Sequence, residues 1–206
     1  MIPKLSVKKK WRPANEIIED YDEYELCYLD LCDVFPDDII GLSLWPPEKL
    51  IADEKMTRLY QSILQNGWKD EFPGDLDLYL LPTGKFVVSY GGNHRAVISN
   101  ELSVPKIKAN VDLLIPRSLL SEDVINHISI LRKNEQQLNH AAKEISFFLN
   151  SKDIYRDQYP DKIKEFNQLC EQAKKSTNKV NEILKNEAYK LELIPKKLNL
   201  TRITIR

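Results

Sequence analysis

Two of the chain's six glycines stand side by side, between a run of strand-forming residues and a run of helix-forming ones. The run before them is Lys85-Phe86-Val87-Val88-Ser89-Tyr90, and the run after them opens Asn93-His94-Arg95-Ala96-Val97-Ile98. Glycine tolerates positive φ and lets other groups come close to the backbone, so the pair reads as a tight strand-to-helix turn. The first N–H groups of the helix that follows have no partner in their own helix. Those amides and the helix dipole together favour an anion, phosphate above all. His94 and Arg95 place side-chain donors at the same mouth, and a guanidinium can grip phosphate in bidentate fashion. Gly91, Gly92, Asn93, His94 and Arg95 are therefore the candidate phosphate-binding residues. The plain alternative is a turn whose arginine pairs with a local carboxylate.

The neighbouring patterns supply the scaffold. Met56, Leu59, Tyr60, Ile63 and Leu64 recur at helical spacing, with Asp53 and Glu54 at the start and Asn66-Gly67 as the stop. Leu76, Leu78 and Leu80 alternate, and Pro82-Thr83-Gly84 turns the chain into the strand before the glycines. A short strand is expected at Leu42–Leu44 before Trp45-Pro46-Pro47, and another from Lys106 to Val111, with Pro116 closing the sheet region. Between Asn15 and Asp38 lie ten carboxylates, and Ile17, Tyr21, Tyr24 and Tyr28 share helical spacing, so that stretch leans towards helix, although Cys27-Tyr28-Leu29 could begin a strand. Beyond Pro116 the chain reads as helices at about 122–133, 138–150, 160–173 and 177–191.

The order helix with Ser62-Ile63 and Asn66-Gly67, strand, turn, strand, Gly91-Gly92-Asn93-His94-Arg95, helix, Ser103-Val104-Pro105 and strand resembles the ParB/sulfiredoxin superfamily. The resemblance covers roughly residues 42–113 and implies an α+β fold, a small mixed sheet with helices followed by a helical C-terminal part. It also implies a nucleoside triphosphate, CTP or ATP, held at Gly92, Asn93, His94 and Arg95. Asn93 stands where sulfiredoxins carry the catalytic cysteine, so reduction of a sulfinic acid is not expected.

Two enzymatic roles follow from the same resemblance. Lys133-Asn134-Glu135-Gln136-Gln137-Leu138-Asn139 is similar to the ParB hydrolysis motif in its asparagine, glutamine and Leu-Asn, and it leaves Glu135 as the candidate catalytic carboxylate and Mg²⁺ ligand. The free-serine kinases of the superfamily use a glutamate ahead of the first long helix, and Glu48 and Glu54 lie in that neighbourhood. A carboxylate there more often caps a helix or answers its dipole. The alternative function is thus a small-molecule kinase or NTPase.

Further on, Lys174-Lys175-Ser176-Thr177-Asn178-Lys179 interrupts an apolar pattern and reads as the turn of a helix-turn-helix at 163–191, with Ser176 as the N-cap. It is similar to that of ParB proteins, where a Lys-Ser pair caps the recognition helix. Lys174, Lys175, Ser176 and Lys179 are then the candidate DNA contacts. The competing reading is a basic helical bundle.

Charge is spread unevenly, an acidic middle between basic ends. Residues 1–12 carry five basic side chains and no acid, residues 13–142 eleven basic against 22 acidic, and residues 143–206 fourteen against nine. We read 1–40 as a basic arm with an acidic extension, 41–116 as the phosphate-binding domain and 117–206 as the helical region. Three cysteines, Cys27, Cys32 and Cys170, suggest neither a disulfide framework nor a zinc site, and no apolar run approaches a membrane span. A cytoplasmic, ParB-like nucleotide-dependent switch associated with DNA is the leading expectation, with pairing of two copies as a further one.

Overall fold

In a computed structural model the chain is described over residues 9–70, 73–151 and 158–198. Residues 1–8 of the expected basic arm, and most of the segment just ahead of Pro160, lie outside them. Two compact units result. One holds the described residues up to Arg117 together with those from Ala188 onward, and the other is Ser118–Glu187.

The first unit is a mixed α/β structure. Its strands are β1 (Arg12–Pro13), β2 (Tyr24–Val34), β3 (Ile39–Leu42), β4 (Asp77–Leu80), β5 (Phe86–Val88) and β6 (Ile107–Pro116). They form one sheet in the order β1-β3-β5-β4-β6-β2. β4 and β5 are an antiparallel hairpin, β6 runs parallel to β4, and β2 lies antiparallel along almost the whole of β6. Four helices accompany them: α1 (Ala14–Ile17), α2 (Pro47–Ala52), α3 (Glu54–Asn66) and α4 (Asn93–Glu101). The Asp53 side chain caps α3 by accepting from the Lys55 amide, and Gly67 ends that helix at φ 72°. α3 buries Met56 and Tyr60, while α4 buries Ala96, Val97, Ile98 and Ser99. Sinking an aliphatic side chain of that size stabilises by about 1.5–3 kcal/mol, which fixes α4 and the turn before it.

The stretch that leaned towards helix is instead the eleven-residue strand β2. Its buried residues are Glu25, Cys27 and Leu29, then Cys32 and Val34, and the change of parity falls at a bulge at Asp30, whose φ is 61°. The tyrosines only imitate helical spacing. Residues 1–40 are accordingly no extension, because β1, β2 and the first half of β3 are built from them. β6 also outruns the strand expected at 106–111, reaching Pro116. The chain's last described residues return to this unit, where Lys197 and Lys85 donate to Asp38 at 2.6 and 2.8 Å. A single helical region over 117–206 is therefore not what forms.

The second unit is built on α5 (Glu122–Leu149) and α6 (Pro160–Lys190), whose last residues count with the first unit. Ser121 caps α5 by accepting from the Val124 amide. Each helix is continuous where a break was expected. In α6 the residues Ala173, Ser176, Val180 and Leu184 form one buried stripe at helical spacing, so Ser176 faces inward and accepts from Asn134 at 3.2 Å. Thr177 donates to the Ala173 carbonyl, and Lys175 pairs with Glu171 one turn back. With no glycine to leave the helix and an uninterrupted inward stripe, Lys174–Thr177 stays helical. The turn of the proposed helix-turn-helix is absent. Among the described residues no helix is long and apolar enough to cross a membrane.

Candidate functional site

The strand β5 delivers the chain to Gly91-Gly92, and α4 starts at Asn93, as the paired glycines require. Gly92 has φ 89° and is the N-cap of α4. A Cβ built there would lie 2.6 Å from the Leu76 Cα and from the Asp75 carbonyl oxygen. The glycine therefore serves two needs of the fold, a left-handed backbone and a close approach of the β4 entry. The Gly92 carbonyl accepts from the Ala96 amide, closing the first turn of the helix. Among the described residues, the amides of Gly91, Gly92, Asn93, His94 and Arg95 find no acceptor in the chain.

The three side chains that follow are all held from a distance in sequence. Asn93 is buried, and its Oδ1 accepts from the Ser43 and Leu44 amides at 3.0 and 3.2 Å while its Nδ2 donates to the Ser43 hydroxyl at 2.9 Å. It ties the loop after β3 to the start of α4, so it does not present a free polar end. The His94 Nε2 lies 3.2 Å from an Asp53 carboxylate oxygen. The Lys55 amide, and with it the imidazole, holds the Asp53 carboxyl below the usual aspartate range.

Arg95 has turned towards an acid. Its Nη2 donates to Asp70 at 3.0 Å, and the guanidinium lies over the Trp68 ring, 5.0 Å from its centre. The Trp68 indole N–H donates to the same Asp70 oxygen, also at 3.0 Å. The local-carboxylate alternative is thus realised for the side chain but not for the loop amides. The Arg95 Nε is buried without a hydrogen-bond partner among the described residues, while Nη2 donates to Asp70 and to the Lys69 carbonyl. Beside it opens a cavity of about 260 Å³ lined by Leu59, Ser62, Ile63, Asn66, Gly67, Trp68, Lys69 and Arg95. Ser62 and Asn66 reach it from the last turns of α3, and the Asn66 side chain also donates to the Ser62 carbonyl.

Other candidates stand elsewhere. Glu48 and Glu54 are exposed in the first turns of α2 and α3. There they answer the helix dipoles, and Glu54 follows the capping Asp53. Glu135 belongs to the second unit, midway along α5, and does not stand at a helix start. Among the described residues no group of three or more His, Cys, Asp or Glu is placed to hold a metal ion. Glu135, on which the Mg²⁺ expectation rested, stands apart from any such group. Lys174, Lys175 and Lys179 are exposed along α6, while Ser176 is buried.

Sequence reading missed Asp70 and Trp68, which hold Arg95, and the link from the helix cap Asp53 to His94. Asp70 lies 25 positions from Arg95 and Asp53 41 from His94, so no local spacing could reveal them. In comparisons with protein-family models, with curated proteins and with solved structures, nothing matches the chain.

Proposed function

We propose that the first unit is a nucleotide-binding module, taking the phosphates of a nucleoside triphosphate at the start of α4 and the remainder in the cavity beside Arg95. The observation that supports this is the run of five amides, Gly91 to Arg95, left without acceptors at the N-terminus of a nine-residue helix. Such a row is an anion site in its own right. Arg95 belongs to both the turn and the cavity wall, and that wall carries the polar side chains Ser62 and Asn66 and the aromatic Trp68. Ser62, Asn66, Lys69 and Arg95 share the lining with Leu59, Ile63 and Trp68, so the cavity offers donors beside an aromatic face. Asp70 and Trp68 hold the guanidinium in place, and binding exchanges part of the Asp70 pair for phosphate oxygens.

The proposal is one of binding. Hydrolysis would rest on Glu135, which sits mid-helix in the second unit. A DNA-contacting role would rest on Lys174, Lys175, Ser176 and Lys179, which lie along one uninterrupted helix.

Titration of the full chain with ATP, CTP, GTP and UTP, wild type against Arg95→Ala, tests the reading. At least one nucleotide binds, and its affinity falls by about 1.5–3 kcal/mol in the variant, roughly 10- to 150-fold. No binding of any of the four, or equal affinity in the two proteins, overturns it.

A further inference from the structure

The two faces of the sheet are covered differently. On β6 the residues of one parity, Ile107, Ala109, Val111, Leu113 and Ile115, are buried throughout. On the opposite parity only Leu114 is buried, in a cluster with Ala14 and Ile18 beside α1, while Lys108, Asn110 and Asp112 remain partly open. Strand register then sets a row across three strands, Tyr28 on β2, Asp112 on β6 and Tyr79 on β4. In the next row Asn110 stands opposite Asp77 and donates to it at 3.2 Å. Tyr21, from the turn before β2, lays its ring against Tyr79 with 5.7 Å between ring centres. Tyr21 and Tyr28 are 45% and 44% exposed, high values for large aromatic side chains.

This face is acidic as well as aromatic. Burial, then Asp77 and Asp30, push the Asp112 carboxyl up to about 6, so its neighbours on the face raise the cost of its charge. Burial likewise pushes the Tyr79 hydroxyl up, with Tyr21 and Asp112 adding to it. Lys106 and Lys108, around the start of β6, are paired with Asp33 of β2 at 3.6 and 3.4 Å. Exposed tyrosines between carboxylates match one chemistry well. A guanidinium or ammonium can lie on a ring face and pair with the carboxylate beside it.

We propose that the Tyr28–Asp112–Tyr79 row and the flanking Asp30 and Asp77 form a docking surface for a lysine- or arginine-rich extended segment of a partner protein. Charge complementarity selects the occupant. An extended chain repeats every two residues, as the rows of the sheet do, so alternate basic side chains meet successive rows. The proposal uses none of the donors at the start of α4 and does not depend on nucleotide binding.

The test is a fluorescence-anisotropy titration of the full chain at low ionic strength, using a labelled ten-residue peptide with arginine at alternate positions and its glutamate counterpart. The arginine peptide binds about tenfold or more tightly than the glutamate one. Its affinity falls about tenfold or more in the double variant Asp30→Asn/Asp112→Asn, and also falls in Tyr28→Ala. The asparagines are isosteric and suit the positive φ at Asp30, and a thermal melt of each variant shows that the fold is kept. A control with the same loss of charge elsewhere, Glu144→Gln/Glu182→Gln, binds as wild type does. The proposal is overturned if the arginine peptide does not bind, if the control loses as much affinity as the double variant, or if the double variant binds unchanged. It is also overturned if Lys4→Glu/Lys8→Glu raises affinity about tenfold, because the chain's own basic residues would then be the occupant.

Discussion

Gly91-Gly92-Asn93-His94-Arg95 and Lys174-Lys175-Ser176-Thr177 both look like polar breaks before a helix, and they fold differently. The first is a sharp turn with φ 89° at Gly92 and a helix starting one residue later. The second is the middle of a 31-residue helix. Serine at a helix start is a preference worth about 1 kcal/mol, which packing readily overrides. A backbone at positive φ with Asp75 and Leu76, just ahead of β4, 2.6 Å from the missing Cβ is a requirement. The contrast teaches that a residue whose absence of side chain is needed marks a turn more firmly than residues whose side chains merely favour one.

The strongest way to break this contrast is Gly92→Ala. Left-handed backbone costs a residue with a Cβ about 1–2 kcal/mol, and overpacking against Leu76 and Asp75 adds about 1–3. A loss of about 2–5 kcal/mol is expected in urea denaturation, with the slope of the transition unchanged. A loss under about 1 kcal/mol would mean that the turn relaxes easily and that the glycine is dispensable.

A smaller effect separates the fold's share of the turn from the ligand's. Asn93→Ala removes the acceptor for two amides and the donor to Ser43. Leaving such groups unpaired costs about 2 kcal/mol, softened by the partial exposure of the Ser43–Leu44 loop. Asn93→Asp keeps the acceptor and loses less. If both variants melt with the wild type, Asn93 is no tie between the β3 loop and α4, and a direct role in ligand binding becomes the better account of it.

How much was legible follows from what each element depended on. α3 could be read because its cap Asp53, its apolar period and Gly67 all lie within fifteen residues. The β4–β5 hairpin and the start of α4 could be read for the same reason. β2 could not, because the bulge at Asp30 moves its buried residues from 25, 27 and 29 to 32 and 34, and no single two-residue period survives. At the candidate site, the strand-to-helix turn was visible in the glycines. The carboxylates that hold His94 and Arg95, and the loop that takes up Asn93, arrive through the fold from positions that sequence spacing does not connect. In α6 the lysines masked a stripe, Ala173, Ser176, Val180 and Leu184, that is regular once Ser176 is allowed to face inward.

That stripe gives the smallest and most discriminating prediction. Lys174 is exposed on α6, so replacing it changes backbone preference and little packing. In the interior of a continuous helix glycine is less favourable than alanine by about 1 kcal/mol. At the turn of a helix-turn-helix glycine would be neutral or better, since it accepts the left-handed backbone that ends the first helix. Lys174→Gly should therefore be less stable than Lys174→Ala by about 1 kcal/mol in urea denaturation, with a small loss of helical circular dichroism at low denaturant. Equal stability of the two variants, or a more stable glycine, would restore the break at Lys174–Thr177. The exposed lysines around it would then again stand at the start of a separate helix.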